Sequence, residues 1–450
     1  MFIRSISGIR AIVETHLNDA VIRKYIQGAH QIYEQGAIIV GRDSRESGFL
    51  ITNVVIDELT RLGMNVIYCD IVPTPTVQFI VEKTDAVGGL IITASHNPEE
   101  WNGLKFVRAD GTFFLPKENE KLFEIVDKGI NVKESKIRGI VIEDKNAIQK
   151  HIIKNVSLKC IEAYQIRNKQ FKVVIDAING AGAIAVPAML EALGCEVIPI
   201  NCEPTGDFVH GTEPLPQNLT ELSKAVIDNN ADIGFAVDPD ADRLAVVDEK
   251  GKPIGEEYTL VFATDGYIKT TGRKETFVTN LSTTMALDKV AEKHGCTVVR
   301  SAVGEINVVQ KMLAIDANLG GEGNGGIILK EAHLGRDSLV GVTMVLNRLA
   351  QSDEQLSEIM RTLPQFEMVK ERLELNRADV CMPDPTAVFD KAKTIFSDAE
   401  INTVDGLKFI WDDRWLHLRA SNTEPILRIY AEAPTKIEAQ KLVQTLKSKL

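Results

Sequence analysis

Apolar and polar positions follow a pattern that repeats along most of the chain. Short apolar runs rich in β-branched residues alternate with helical stretches, and Gly63, Gly194 and Gly295 each follow such a stretch where a helix cap is expected. This alternation predicts three similar α/β domains. Their strands are predicted at residues 37–40, 66–68 and 88–92, at 173–176, 196–198 and 233–237, and at 277–280, 297–299 and 318–321.

The last part of the chain has a different pattern. Apolar and polar residues alternate over 406–411 and 415–419, with the turn signal Asp412-Asp413 between them, and an amphipathic helix is predicted over 436–450. Hydrophilic stretches separate the units along the chain. We therefore predict four domains, at residues 1–150, 151–250, 251–365 and 366–450.

Composition and charge narrow the class of protein. The 450 residues are 44% apolar and 25% charged, and no apolar run approaches the roughly 18 residues that span a bilayer. The net charge of −12, without a cluster of Lys and Arg, argues against a nucleic-acid partner. The N-terminus lacks a charged leader followed by an apolar core. We expect a cytoplasmic monomer or homodimer that binds neither membrane nor nucleic acid.

The cysteines are scattered and include no C-x-x-C pair, so a disulfide framework is not expected. Cys195 and Cys202 form an alternative metal set with His210, but their spacing matches no zinc pattern. We interpret the cysteines as small core or strand residues. They are Cys69, Cys160, Cys195, Cys202, Cys296 and Cys381.

One polar loop carries a serine at the end of an apolar strand. The run 88–92 is followed by Thr93-Ala94-Ser95-His96-Asn97-Pro98, so Ser95 lies at the carboxyl end of a strand, where α/β proteins place their chemistry. A serine hydrolase is the alternative, since His96 is adjacent. Neighbouring residues rarely adopt triad geometry, and no G-x-S-x-G elbow surrounds the serine.

A second loop carries three carboxylates on alternate residues, Asp238, Asp240 and Asp242. Like charges so close repel unless a cation neutralises them, and oxygen ligands suit Mg²⁺ or Ca²⁺. A solvated acidic turn and an EF-hand are the alternatives, but Arg243 occupies the position where an EF-hand needs glycine. We favour Mg²⁺, shared with a phosphate on Ser95, with Lys105 and Arg243 balancing the charge.

Two further loops are rich in polar or glycine residues. In 321–326, Glu322 among glycines is suited to binding sugar hydroxyls, whereas a dinucleotide site is disfavoured because an apolar strand follows instead of a helix. In 419–425, Arg419 with hydroxyl and amide side chains indicates a phosphate cup, and Arg428 is a lesser candidate. A flexible turn and a polar hairpin loop remain the respective alternatives.

Four loops, at 93–98, 238–243, 321–326 and 419–425, resemble those of the α-D-phosphohexomutase family and follow one another in the same order as in that family. This family includes phosphoglucomutases, phosphomannomutases and phosphoglucosamine mutases. The resemblance implies four domains around a central cleft, three of them α/β with mixed sheets and the fourth α+β and TBP-like. It also implies a phosphorylated Ser95 whose phosphate completes a Mg²⁺ site with the three aspartates.

The same resemblance implies a reaction. The serine phosphoryl group passes to a sugar phosphate, the bisphosphorylated sugar turns end for end, and its other phosphate returns to Ser95, with hexose 1,6-bisphosphate as activator. Lys105 matches a position near the acid/base site, Arg10 resembles an arginine that faces the phosphoserine, and His96 is a candidate for polarising the transferred group. The substrate-binding set is Glu322, Asn324, Arg419, Ser421, Asn422, Thr423 and Arg428.

Two details bear on which sugar is used. Asn324 and Gly326, with Gly335-Arg336-Asp337 just after them, are similar to phosphoglucosamine mutases of some bacteria and archaea, which implies conversion of glucosamine 6-phosphate to glucosamine 1-phosphate. Ser421-Asn422-Thr423 instead resembles the phosphomannomutase and phosphoglucomutase forms. These enzymes and a catalytically silent phosphosugar-binding relative are the alternatives.

Overall fold

A computed structural model describes residues 1–129, 132–374, 385–420 and 426–449. The chain forms two compact units. The first contains Met1–Arg273 and Asn324–Met360, and the second contains Lys274–Gly323 and Arg361–Leu450. In the part of the chain that the structure describes, no helix combines the length and apolarity that crossing a bilayer requires.

The N-terminal part of the first unit is built on a mixed sheet of seven described strands. The sheet order is β1-β2-β6-β5-β3-β4-β7, in which β3 runs parallel to β4 and β5, and β6 is antiparallel to β5. The elements are β1 (Phe2–Ser5), β2 (Gly8–Ile12), α1 (Asp19–His30), β3 (Ala37–Arg42), α2 (Glu46–Arg61), β4 (Asn65–Ile71), α3 (Thr74–Glu82), β5 (Gly88–Ile92), β6 (Trp101–Arg108), α4 (Pro116–Lys128), β7 (Val141–Glu143) and α5 (Ala147–Val156).

The next part of the same unit has a smaller mixed sheet. Among the described strands its order is β11-β10-β8-β9, with β10 parallel to β8 and antiparallel to β11. The elements are α6 (Ala163–Lys169), β8 (Lys172–Asp176), α7 (Gly182–Ala192), β9 (Glu196–Ile200), α8 (Thr220–Asp228), β10 (Ile233–Val237) and β11 (Leu244–Asp248). Every residue of β10 is buried, so its carboxyl end emerges from the middle of the sheet.

The third part of the chain is divided between the units. In the second unit, β12 pairs in parallel with β13 and β14. Counted over both units, the elements of this part of the chain are α9 (Glu256–Thr271), β12 (Thr276–Asn280), α10 (Ala286–Lys293), β13 (Thr297–Ser301), α11 (Glu305–Ile315), β14 (Leu319–Glu322), β15 (Gly326–Leu329), α12 (Ser338–Ala350) and α13 (Leu356–Thr362).

The C-terminal part is an antiparallel sheet of order β16-β20-β19-β18-β17 with helices on its apolar face. Phe409, Leu418 and Ile429 of the sheet pack with Val443 of the last helix in one core. The elements are β16 (Glu367–Glu374), α14 (Pro385–Ile395), β17 (Glu400–Asn402), β18 (Leu407–Ile410), β19 (Trp415–Ala420), β20 (Ile426–Ala433) and α15 (Lys436–Lys447).

The predicted fold class, three mixed-sheet α/β domains followed by an α+β domain, is confirmed. The strands predicted at 88–92 and 233–237 have those limits, because each is a continuous apolar run ended by polar residues. Gly63, Gly194 and Gly295 have φ of +84°, +76° and +69°, which fits the predicted helix caps. The apolar pattern does not predict the edge strands β1 and β7, whose residues are partly or fully exposed.

Candidate active site

The serine loop is held in a defined conformation at the end of β5. Ser95 is 1% exposed and has a φ of +52°, in the left-handed region that non-glycine residues seldom adopt. Its backbone N–H donates to Thr93 Oγ1 at 2.8 Å, and Thr93 Oγ1 donates to Asp43 Oδ2 at 2.6 Å. The neighbouring loop after β3 therefore supports the strained turn that presents the serine.

A buried guanidinium holds the same loop from the other side. Arg45, without exposed side-chain surface, pairs with Asp43 through Nε at 3.0 Å. Its Nη2 donates to the carbonyls of Ser95 and Asn97 at 2.7 and 2.6 Å, and its Nη1 donates to that of Pro98 at 2.5 Å. Arg45 and Asp43 were not among the predicted site residues. The polar run that follows β3 is the only sequence signal for them.

We expect Arg45→Met to destabilise the protein by about 3–5 kcal/mol, because it leaves the buried Asp43 carboxylate without its partner. Chemical denaturation measures this change in the free energy of unfolding. The double variant in which Asp43 also becomes Asn should recover part of the loss, since the uncompensated charge is gone. Equal stability of Arg45→Met and wild type would contradict the proposed support of the loop.

The acidic loop begins where β10 ends. Asp238, Asp240 and Asp242 are each at most 1% exposed, and one carboxylate oxygen from each lies within 4.8 Å of the others. Asp238 Oδ1 accepts the backbone N–H groups of Asp242 and Arg243, both at 3.1 Å, and Ala241 has a φ of +52°. These bonds curl the loop so that its three carboxylates converge, as their alternate spacing predicts.

The convergent carboxylates have the properties of a divalent-cation site. Among the described residues, Asp238 Oδ2, Asp240 Oδ1 and Asp242 Oδ1 are buried and lack a hydrogen-bond partner. Burial and the two neighbouring charges raise the pKa of Asp238 well above its usual range. Burial would also raise the pKa of Asp240, but the charge and hydrogen bond of Lys105 and the hydroxyl of Thr74 lower it. The oxygen-only donor set fits Mg²⁺.

Lys105 and Thr74 both contact Asp240. Lys105 lies on β6 opposite Ile91 of β5, and its Nζ is 2.7 Å from Asp240 Oδ2 and 3.7 Å from Asp242 Oδ2. Thr74, the first residue of α3, donates from Oγ1 to Asp240 Oδ2 at 2.9 Å. The structure therefore brings the predicted lysine to the aspartates. It adds Thr74, for which the sequence has no motif.

His96 and Arg243 connect the acidic loop to the serine loop. His96 Nδ1 lies 3.3 Å from Ser95 Oγ and 3.1 Å from Arg243 Nη2. Burial and the charges of Arg243 and Arg10 lower the pKa of His96 well below its usual value. Since a guanidinium only donates, Nδ1 accepts its hydrogen bond and the ring proton is on Nε2. Arg10 reaches the same loop and donates to Asn97 Oδ1 at 3.1 Å.

The loop that follows β8 supports the acidic loop. Ala181 N–H donates to the carbonyl of Pro239 at 2.8 Å, and Ile178 N–H donates to Asp176 Oδ1 at 3.0 Å. Asp176 Oδ2 lies 3.0 Å from His210 Nε2. His210, considered above as a metal ligand with two cysteines, is thus paired with a buried carboxylate.

The His210 and Asp176 pair predicts a dependence of stability on pH. Burial alone would lower the pKa of His210, but the hydrogen bond and charge of Asp176 outweigh it and raise the pKa. The stabilisation is fully present below the unfolded-state value of about 6.5 and is lost as pH rises through the folded-state value. We expect His210→Gln to lose more unfolding free energy at pH 5.5 than at pH 8.5. Equal losses at both pH values would contradict this prediction.

In the second unit, Glu322 ends β14 and is 3% exposed. Its Oε1 accepts hydrogen bonds from Asn280 Nδ2 at 2.8 Å and from the backbone N–H of Gly304 at 3.0 Å. Asn280 ends β12, the strand that neighbours β14. The carboxylate is therefore fixed in orientation by two groups that the sequence analysis did not select. In the first unit, Asn324 Oδ1 accepts from Gly326 N–H at 3.2 Å.

Arginines form a row across the C-terminal sheet. Register places Arg419 of β19 opposite Arg428 of β20, and Arg428 opposite Arg372 of β16, so the three side chains share one face. Arg419 Nε lies 2.8 Å from Asp405 Oδ2. An open cavity of about 370 Å³ is lined by Arg372, Arg428 and Lys370. The predicted phosphate-cup residues Ser421, Asn422 and Thr423 lie outside the described residues.

Comparison with known proteins shows similarity along nearly the whole chain. Four family models, one for each domain of phosphoglucomutase/phosphomannomutase, match the chain in sequence order. They are alpha/beta/alpha domain I at residues 3–133, alpha/beta/alpha domain II at 149–251, alpha/beta/alpha domain III at 255–366 and the C-terminal domain at 379–448.

Individual relatives are similar over comparable lengths. The chain is 33% identical to a phosphoglucomutase/phosphomannomutase of Thermococcus kodakarensis, covering 91% of this chain and 89% of the relative. It is 31% identical to a probable phosphoglucosamine mutase of Methanopyrus kandleri, covering 97% and 95%. A crystal structure of a phosphoglucomutase/phosphomannomutase family protein from Burkholderia thailandensis has the same fold, with a TM-score of 0.86 at 24% identity over 100% of this chain and 98% of that chain.

Proposed function

The chain belongs to the α-D-phosphohexomutase family and is a phosphohexomutase, and we propose that it converts glucosamine 6-phosphate to glucosamine 1-phosphate. The observation that carries the chemistry is the buried aspartate triad, each member of which has one oxygen without a hydrogen-bond partner. His96 and Arg243 join this triad to Ser95. A nucleophilic hydroxyl beside a cation site is the arrangement that phosphoryl transfer requires.

In the proposed reaction, phosphorylated Ser95 is the phosphoryl donor. The 1-hydroxyl of the sugar 6-phosphate attacks the phosphorus and gives its proton to a base, while the bond to Ser95 Oγ breaks and that oxygen takes a proton from an acid. The sugar bisphosphate then turns around, and the Ser95 hydroxyl attacks the 6-phosphorus. The bond to the sugar 6-oxygen breaks, and that oxygen takes the proton. We assign Lys105, whose Nζ lies 2.7 Å from Asp240 Oδ2, a role near the acid/base site. We assign Arg10, His96 and Arg243 to binding the transferred group, since Arg10 donates to Asn97 of the serine loop and Arg243 donates to His96.

Asp238, Asp240 and Asp242, together with the phosphate on Ser95, would hold Mg²⁺. The bound ion would neutralise charge that develops on the transferred phosphoryl oxygens. Each of the three buried aspartates has one oxygen without a hydrogen-bond partner, which supports this assignment. A hexose 1,6-bisphosphate would phosphorylate Ser95 and so activate the enzyme.

Substrate binding is assigned to residues suited to a sugar phosphate. Glu322 would accept hydrogen bonds from vicinal hydroxyls, since a carboxylate accepts several hydrogen bonds and Asn280 and Gly304 fix its orientation. Asn324 would assist it. Arg419 and Arg428 would bind the phosphate that does not react, because their side chains share one face of the sheet. We assign the same role to Ser421, Asn422 and Thr423.

Glucosamine phosphate is proposed as the preferred substrate on the basis of relatives. Several relatives with 30–33% identity over 90–97% of this chain are named phosphoglucosamine mutase or probable phosphoglucosamine mutase. Asn324 and Gly326 agree with that group. The second candidate function is the interconversion of glucose or mannose phosphates. The relative from Thermococcus kodakarensis, which is named phosphoglucomutase/phosphomannomutase, supports it.

The experiment that tests the preference compares the 6-phosphates of glucosamine, glucose and mannose by ³¹P NMR, with Mg²⁺ and a trace of glucose 1,6-bisphosphate. The highest kcat/KM is expected for glucosamine 6-phosphate. A higher value for glucose or mannose would reassign the substrate within the family. Binding of sugar phosphates without turnover of any would indicate a catalytically silent relative.

A further inference from the structure

Arg336 is a cation beside the aspartate triad to which the proposed mechanism gives no role. Its side chain is 10% exposed, and Nη2 donates to Asp242 Oδ2 at 2.6 Å. The other oxygen of that carboxylate, Oδ1, accepts no hydrogen bond and lies 3.9 Å from Arg243 Nε. Arg336 therefore engages one oxygen of the carboxylate and leaves the other without a hydrogen-bond donor.

Gly326 provides the space through which Arg336 reaches Asp242. A Cβ atom at residue 326 would lie 2.3 Å from Arg336 Cδ and 2.9 Å from Arg336 Cγ. Both distances are far below van der Waals contact, so any side chain at this position would displace the aliphatic part of the arginine. The left-handed region is not involved, because no positive φ is found at Gly326. The glycine is needed for space.

The backbone on the C-terminal side of Arg336 is fixed. Asp337 Oδ1 caps α12 by accepting the N–H of Leu339 at 2.8 Å, and its Oδ2 lies 2.9 Å from His151 Nε2 and 3.1 Å from His333 Nε2. Ser338 Oγ donates to the carbonyl of Ala241, inside the acidic loop, at 2.7 Å. These buried contacts of Asp337 and Ser338 fix the backbone from which the arginine side chain extends.

We propose that Arg336 is a positioning residue for Asp242, and that Gly326 is required at its position because it accommodates the arginine. The guanidinium orients the carboxylate so that Oδ1 faces the cation. Groups that orient metal ligands through hydrogen bonds raise metal affinity even though they never contact the ion. Residue 326, which lies beside the proposed sugar-binding Asn324, is in this way coupled to the metal site. The inference rests on the proposed function of the acidic loop.

Two variants that keep a positive charge at residue 336 test the geometry of its contact with Asp242. Arg336→Lys loses the planar fork, and Gly326→Ala displaces the arginine stem. Binding of Mn²⁺ to the substrate-free protein is measured by isothermal titration calorimetry and by electron paramagnetic resonance. Each variant is expected to bind Mn²⁺ about 10-fold more weakly than wild type. The melting temperature in EDTA should stay close to the wild-type value, since no metal is then bound.

Arg348→Lys is the matched control. Arg348 is a buried arginine whose Nε donates to Asp265 Oδ2 at 2.5 Å, away from the aspartate triad. The Arg348→Lys variant should leave Mn²⁺ affinity unchanged. If it weakened Mn²⁺ binding as much as Arg336→Lys, the effect would be a general consequence of altering a buried ion pair, and the proposal would be overturned.

A double-mutant cycle tests the link between the two residues. In an Arg336→Ala background, Gly326→Ala should change Mn²⁺ affinity by less than about twofold, because the stem that it would displace is absent. Additive effects would overturn the role given to Gly326. Absence of Mn²⁺ binding to wild type would refute the metal site itself, whereas wild-type binding with unaltered variants would refute this inference alone.

Discussion

Ser95→Ala is expected to reduce the interconversion of sugar phosphates by at least about 10³-fold, because it removes the atom that we propose carries the transferred phosphoryl group. Ser95 Oγ is the hydroxyl 3.3 Å from His96 Nδ1, at the end of the fully buried strand β5. Turnover is measured by ³¹P NMR with Mg²⁺ and glucose 1,6-bisphosphate. Intact mass spectrometry after incubation with the bisphosphate should show one added phosphoryl group on wild type and none on the variant.

Ser44→Ala is the control for this experiment. Ser44 is also a buried serine, in the loop that follows β3, and its Oγ donates to the carbonyl of Asn179 at 2.8 Å. Its loss should cost about 1 kcal/mol of stability and leave phosphorylation intact. Phosphorylation of Ser95→Ala, or retained turnover by it, would show that the phosphoryl group is carried elsewhere.

Asp238→Asn is expected to lower turnover by at least about 100-fold and to weaken Mn²⁺ binding strongly, because a charged group that we propose as a metal ligand becomes neutral. The substitution removes the charge but keeps the hydrogen bonds of the loop. The amide oxygen of asparagine can still accept the N–H groups of Asp242 and Arg243, so the turn is retained. Since burial and the neighbouring carboxylates disfavour charge at Asp238, the metal-free variant should be at least as stable as wild type. Calorimetric titration and thermal unfolding in EDTA measure both effects.

Asp248→Asn is the matched control for the charge. Asp248 ends the adjacent strand β11, is 4% exposed, and accepts the N–H groups of Lys250 and Lys252 through Oδ1 at 3.0 and 2.8 Å. The Asp248→Asn variant should leave Mn²⁺ affinity and turnover unchanged. Unaltered Mn²⁺ affinity in Asp238→Asn would contradict the assignment of the triad as a metal site.

Much of the fold follows from local sequence patterns. The limits of β5 and β10 coincide with the predicted apolar runs, since a buried strand requires continuous apolar residues and polar residues end it. The serine and aspartate loops are the polar segments directly after these strands, so their residues could be identified without a structure. Edge strands such as β1 and β7 lacked this signal because they bury little surface.

The partners of the site residues depend on tertiary structure. Arg45, Thr74, Arg336 and Asn280 belong to segments far along the chain from the groups they contact, and nothing in their own sequence marks them. Sheet order brings the loop after β3 beside Ser95, because β3 pairs with β5. Local sequence patterns predict which residues would carry the chemistry. The groups that contact and orient these residues could be identified only in the folded chain, because long-range strand pairing is not encoded in local periodicity.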